Sequence, residues 1–102
     1  MKIRLLAAAA AFALTAGIAA AHPLKGAELS KYASISLASA RTIALKTLRG
    51  GAIVDEELER EAGGSGLRYS FDVKVGQAEH EVGVDAKTGK VLENSMEGPN
   101  AD

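Results

Sequence analysis

Three hydrophobic patterns follow one another along the chain. Leu5 to Leu14 is apolar at every position, with no polar face. From Ser36 onward the apolar residues recur at helical spacing. Leu37, Ala40, Ala44 and Leu48, flanked by Ile43 and Leu45, form one broad stripe, with Arg41, Thr42, Lys46 and Arg49 mostly on the other side. Ser36 is placed to cap this helix through its side-chain oxygen. Gly50-Gly51 is placed to end it, because glycine accepts the left-handed conformation at a helix C-terminus. After Gly51 the period becomes two. Ile53 to Glu61 reads as a first strand, less regular than the rest, and Ala62 to Gly66 as a flexible hairpin loop. Leu67, Tyr69, Phe71, Val73 and Val75 then alternate without a break against Arg68, Ser70, Asp72 and Lys74, the mark of an antiparallel strand with one buried face. Gly76-Gln77 turns the chain into Glu79 to Val84, with His80, Val82 and Val84 inward. Asp85 to Gly89 is a tight turn, and Lys90 to Glu93 a short last strand.

These elements predict an α+β domain, one N-terminal helix packed on a small antiparallel β-meander, since each apolar face needs the other to cover it. The opposite face of the sheet is charged and is expected to face water. His22 to Ser34 reads as a polar lead-in with helical character around Ala27 to Tyr32. The domain runs over residues 35–93, and residues 94–102 read as a polar, disordered tail.

The leading apolar run gains meaning from its flanks. Lys2 and Arg4 precede it, and small residues ending in Ala19-Ala20-Ala21 follow. This order predicts an export signal over residues 1–21, cut before His22, and a periplasmic protein. The run is too short for a stable membrane anchor. Removing it leaves ten basic residues against thirteen acidic ones, a net charge of about −3. That balance argues against nucleic acid, which calls for a concentrated basic face. Cysteine is absent, so the domain depends on its hydrophobic core.

Ser36-Leu37 opening an Ala-rich helix, Gly50-Gly51, Val54 to Glu61, Tyr69-Ser70-Phe71-Asp72-Val73, and Val82-Gly83-Val84-Asp85-Ala86-Lys87-Thr88-Gly89-Lys90-Val91 together resemble a PepSY domain across roughly Ile35 to Glu93. The resemblance implies a helix paired with a small antiparallel sheet, closed by the V-D-A-x-T-G-x-V turn. It also implies a binding role, often stated as inhibition of envelope proteases, and no catalytic residues. Two positions depart from the family pattern. Glu56 stands where an apolar or small residue is expected on the inward side, and His80 replaces what is often Tyr.

The chemistry available to the chain points the same way. There are two histidines, no cysteine and no H-E-x-x-H, and Gly63-Gly64-Ser65-Gly66 reads as a loop, not a nucleophile elbow or phosphate cradle. No catalytic constellation, cofactor or metal site is expected. Asp55, Glu57, Glu59 and Glu61 fall on one side of the first strand and read as a solvated face, partly paired with Arg68 and Lys74. Glu56 and His80, a carboxylate and an imidazole on an apolar face, are expected at the open rim. The binding device expected is an exposed sheet edge, Ile53 to Leu58 or Lys90 to Glu93, accepting an extended peptide as an added strand. Val54, Glu56, Leu58 and His80 are the candidate binding residues. The partner expected is a protein or peptide, with an envelope protease the leading candidate. The alternative is a metal- or small-ligand-responsive envelope protein using His22, His80 and the acidic strand.

Overall fold

The computed structural model of the chain describes residues 23–97. A 3₁₀ helix, Ala27–Tyr32, precedes α1, Leu37–Thr47, the single α-helix among the described residues. Four strands follow: β1 (Ala52–Arg60), β2 (Leu67–Val75), β3 (Ala78–Asp85) and β4 (Val91–Met96). They form one antiparallel sheet in the order β1-β2-β3-β4, an uninterrupted meander, and α1 packs across the inner face of β1, β2 and β3.

Capping fixes both ends of α1. The Ser36 hydroxyl accepts the Ser39 N–H at 3.1 Å. At the far end Gly50 N–H donates to Leu45 O (2.8 Å) and Arg49 N–H to Lys46 O (3.2 Å), the paired bonds of a Schellman motif. The left-handed position of that motif is Arg49, with φ 61°, one residue ahead of the glycines expected to fill it.

The core lies between α1 and the sheet. Leu67, Tyr69, Phe71 and Val73 of β2, Val82 and Val84 of β3, and Ile53 and Leu58 of β1 are buried against Ala40 and Ala44 of the helix. The two alanines place no bulk at the contact, so the helix backbone sits close to the sheet. Each large side chain buried there contributes about 1.5–3 kcal/mol. The Tyr69 hydroxyl reaches through this layer and donates to Ile35 O at 2.9 Å, which fixes the chain entering α1.

The turn after β3 joins more than its two strands. The buried Asp85 carboxylate accepts the Ser65 N–H (2.7 Å) and hydroxyl (2.8 Å) from the β1–β2 loop, and the N–H groups of Lys87 (2.8 Å) and Thr88 (3.2 Å) from its own turn. Ala86 O accepts from Ser34 and Ile35, and Ala86 N–H donates to Leu67 O. The helix entry, the hairpin loop and the last turn therefore meet at one pair of residues.

Four sequence expectations are corrected. β1 carries a bulge between Ile53 and Asp55, which reverses the alternation partway along. Ile53, Glu56 and Leu58 therefore all point inward, and Val54 is the half-buried residue of the bulge. Glu56 is not at a rim. It is 5% exposed and holds Arg41 of α1 through two bonds, Nε to Oε1 at 3.0 Å and Nη2 to Oε2 at 2.6 Å. Arg68, expected in water, is 7% exposed, because Gly83, diagonal to it on β3, leaves room for its side chain to lie flat on the sheet. It reaches Glu93 Oε1 (3.2 Å) and Ala62 O (3.2 Å). Finally, β4 continues through Asn94, Ser95 and Met96, residues expected in the tail. The predicted export signal and residues 98–102 lie outside the described residues.

Two predictions follow from these buried charges. Burial pushes the Asp85 carboxyl up, but its hydrogen bonds from Ser65, Lys87 and Thr88 outweigh that and hold it down at about 2, against an ordinary 3.8. A depressed carboxylate stabilises the fold fully above its unfolded pKa and loses that contribution as pH falls through the folded one. Asp85→Asn should cost about 2–4 kcal/mol near neutral pH, since donors are left unmatched. The stability gap between the two proteins, followed by urea denaturation, should be constant above about pH 4 and close toward about pH 2. A gap independent of pH would refute the assignment. Arg41→Ala strands a buried carboxylate and should cost about 2–4 kcal/mol, whereas Arg41→Met with Glu56→Leu should lie within about 1 kcal/mol of wild type. If Arg41→Ala costs no more than a surface change, the pair is not a constraint on the helix.

Candidate functional site

A sheet in meander order has two edges, and here they differ. Outside β1, the lead-in makes a one-residue parallel bridge: Lys25 N–H donates to Glu56 O (3.3 Å) and Leu58 N–H to Lys25 O (2.8 Å). Gly26 allows this approach. With φ 79° it lies against the Leu58 carbonyl, in space that a Cβ would occupy. Lys25 Nζ also pairs with Asp55 Oδ2 at 3.1 Å, a hydrogen bond and charge that raise the lysine above its ordinary value. The Ile53 to Leu58 edge is thus taken up from Glu56 to Leu58 by the chain itself.

The edge formed by β4 is different. Its ladder to β3 pairs Val91 with Val84, then, beyond a bulge, Glu93 with Gly83, Asn94 with Val82, Ser95 with Glu81 and Met96 with His80. Glu97 N–H donates to Glu79 O at 2.7 Å, so the ladder carries on one residue past the strand. Among the described residues no other strand lies beyond β4. Met96 is one of two large apolar side chains exposed among the described residues, at 66%.

The outer face of the sheet is acidic in rows. Asp55, Asp72 and Glu81 stand side by side on β1, β2 and β3, next to Ser95 on β4. Burial, with Glu79 and Asp55 nearby, pushes the Asp72 carboxyl up. Burial, with Glu93 and Asp72 nearby, does the same for Glu81. The row costs the fold some electrostatic free energy when all its members are ionised.

Of the four candidate residues, Glu56 and Leu58 have their side chains buried and their backbone engaged by Lys25, and Val54 sits at the bulge. His80 is half-buried between Val73 and Met96, and its Nδ1 is buried without a hydrogen-bond partner among the described residues. The structure does not bring Glu56 and His80 together, since Glu56 shares its row with Phe71 and His80 shares its row with Val73. Reasoning from the sequence missed the Glu56–Arg41 pair and the Arg68 platform. A signal was available for the first: an inward carboxylate calls for a cation on the covering helix, and Arg41 is the charged residue nearest the apolar stripe. Among the described residues, no group of three or more His, Asp or Glu side chains is placed to hold a metal ion. His22 lies outside them. No described helix is long and apolar enough to cross a membrane.

No curated protein and no solved structure matches the chain. The family model described as "Peptidase propeptide and YPEB domain" matches residues 34–94, more than half of the chain. That span opens at Ser34, where the chain is tied to Ala86, and closes in the middle of β4. PepSY domains are generally non-catalytic and resemble protease propeptides. The matched span takes in α1, the first three strands and the closing turn, and the chain belongs to the PepSY family.

Proposed function

We propose that this protein is a non-enzymatic binding module that works outside the cytoplasm and holds an extended segment of a protein partner, an envelope protease or its precursor. The observation that carries the reading is the asymmetry of the sheet: one edge is covered by the chain's own lead-in, and the other ends at β4. An edge strand offers a row of backbone donors and acceptors, and an added strand satisfies them while its side chains supply specificity. Three further points support it. The family takes its description from peptidase propeptides. The sequence opens with an export-signal pattern. The polar groups inside the domain serve as ties between elements, with Asp85, Glu56 and Tyr69 all engaged by backbone or by a counter-charge.

The test is site-specific photocrosslinking in the producing cell. A photoreactive amino acid is placed at Asn94 on β4 and, as a control, at Lys87 in the exposed turn, and the crosslinked products are identified by mass spectrometry. A protease or protease precursor is expected at the Asn94 probe and not at Lys87, in the envelope fraction. Equal yields at the two positions, or products confined to the cytoplasm, would sink the proposal.

A further inference from the structure

The edge of β4 carries enough chemistry to say what kind of segment fits it. We infer that it accepts an extended strand alternating basic and apolar residues, and that it disfavours a second copy of this chain. The inference rests on the reading of the protein as a protein-binding module and adds the chemistry of the bound segment.

Ladder phase identifies the available backbone groups. Because Glu97 N–H points to Glu79 O on β3, residues two and four before it, Ser95 and Glu93, also turn toward β3. Asn94 and Met96 therefore turn their N–H and C=O groups to the open side. Among the described residues no backbone group donates to or accepts from either of them on that side.

Side-chain alternation then sets the two faces of an incoming strand. On the outer face it would run beside Ser95, Glu97 and Glu93, the last already paired with Arg68, with Glu79 and Glu81 of β3 in the next row. Cations at alternate positions suit this face. Burial and neighbouring carboxylates already push Glu81 up, so an added positive charge relieves an existing repulsion. On the inner face the strand would run beside Asn94 and the exposed Met96, which suits small or apolar residues.

Self-pairing meets the opposite situation. The antiparallel register that pairs both outward-facing residues, Asn94 with Met96, sets Glu93 of each copy opposite Glu97 of the other. Like charges directly opposite destabilise a strand pair. The acidic positions thus guard the edge against its own copies while favouring a basic strand.

The inference can be tested with the purified protein and fluorescein-labelled peptides of alternating Lys and Val, alternating Glu and Val, and the Lys/Val composition in blocks. Binding is read by fluorescence polarisation at about 50 and about 500 mM salt. The alternating Lys/Val peptide should bind at least ~10-fold more tightly than either of the others, and salt should weaken it. Asn94→Pro removes one outward donor without touching the β3 ladder, a change an edge strand tolerates, and should weaken that peptide ~10-fold. Ser95→Lys with Glu97→Lys, which leaves the Arg68–Glu93 pair in place, should reverse the charge preference and stands as the second variant should Asn94→Pro not fold. Equal affinity for alternating and block peptides, or no effect of either variant, would overturn the inference. So would concentration-dependent dimers that protect the Asn94 and Met96 amides from exchange, or protection of those amides in the peptide-free monomer, which would give the edge to residues 98–102. If the peptides fail while the Asn94 photocrosslink still captures a protease, the binding-module reading stands and only the strand chemistry falls.

Discussion

The carboxylate of Asp85 holds the domain's topology in place. A meander of four strands settles which strands are neighbours but leaves open where the helix begins and how the far loops pack. Asp85 settles both from one buried position. Its oxygens gather the Ser65 loop and the β3–β4 turn, and the adjacent Ala86 carbonyl receives the two N–H groups of the segment entering α1. A carboxylate is suited to this work because it accepts several bonds at once and strengthens each by its charge. Burial opposes ionisation there, and the convergence of donors outweighs it. Sheet end and helix start are thereby locked to each other, and Tyr69 adds a bond to Ile35 from the neighbouring strand.

With the helix entry fixed, the second buried charge sets how α1 lies on the sheet. Glu56 reaches the inner face only because the bulge in β1 shifts the alternation by one residue after Ile53. Arg41 then meets it with two bonds from the helix above. A buried ion pair adds little net stability compared with apolar residues of the same shape, but separating its members is costly, so it penalises helix positions that miss the contact. The close approach allowed by Ala40 and Ala44 supplies contact area without direction. Arg41 and Glu56 supply the direction.

What the sequence made legible was whatever depends on local period. Leu67 to Val75 alternates so regularly that its buried face was evident, and so was the helix from Ser36 to Gly50. The closing turn Asp85 to Gly89 was equally clear as turn chemistry, although nothing local revealed that Ser65 and Ile35 would meet there. The less regular β1 concealed a bulge. Ile53 and Glu56 share a face only if one residue is skipped, and pattern reading without that skip placed Glu56 at a rim. Arg68 was misplaced because alternation assigns a face and says nothing of the space on it. The missing Cβ of Gly83, on the adjacent strand, is what lets an arginine lie down and become buried. The end of β4 was missed because Asn94, Ser95 and Met96 are poor strand formers whose state is set by pairing with β3. At the candidate residues Glu56 and Leu58 the bridge from Lys25 was not legible, because it depends on Gly26 folding back from a distant part of the chain.

The difference between the two sheet edges is a consequence of how the chain is threaded. β1 follows directly from α1, so the segment before the helix is available to return along its outer side, and the short run from Lys25 to Ser34 does so, ending at Ala86. β4 follows β3 through a tight turn, which leaves no intervening segment to lie along its outer side. Exposed edges invite unwanted pairing, and a protein can cover them or charge them. This domain covers the first with Lys25 and charges the second with Glu93 and Glu97. The two solutions are not equivalent. A covered edge is closed to every strand, whereas a charged edge is closed only to strands of the same sign and remains available to the opposite one. On the proposed reading, side chains on the outer face would carry selectivity at β4, and affinity would come from backbone that any extended segment could use.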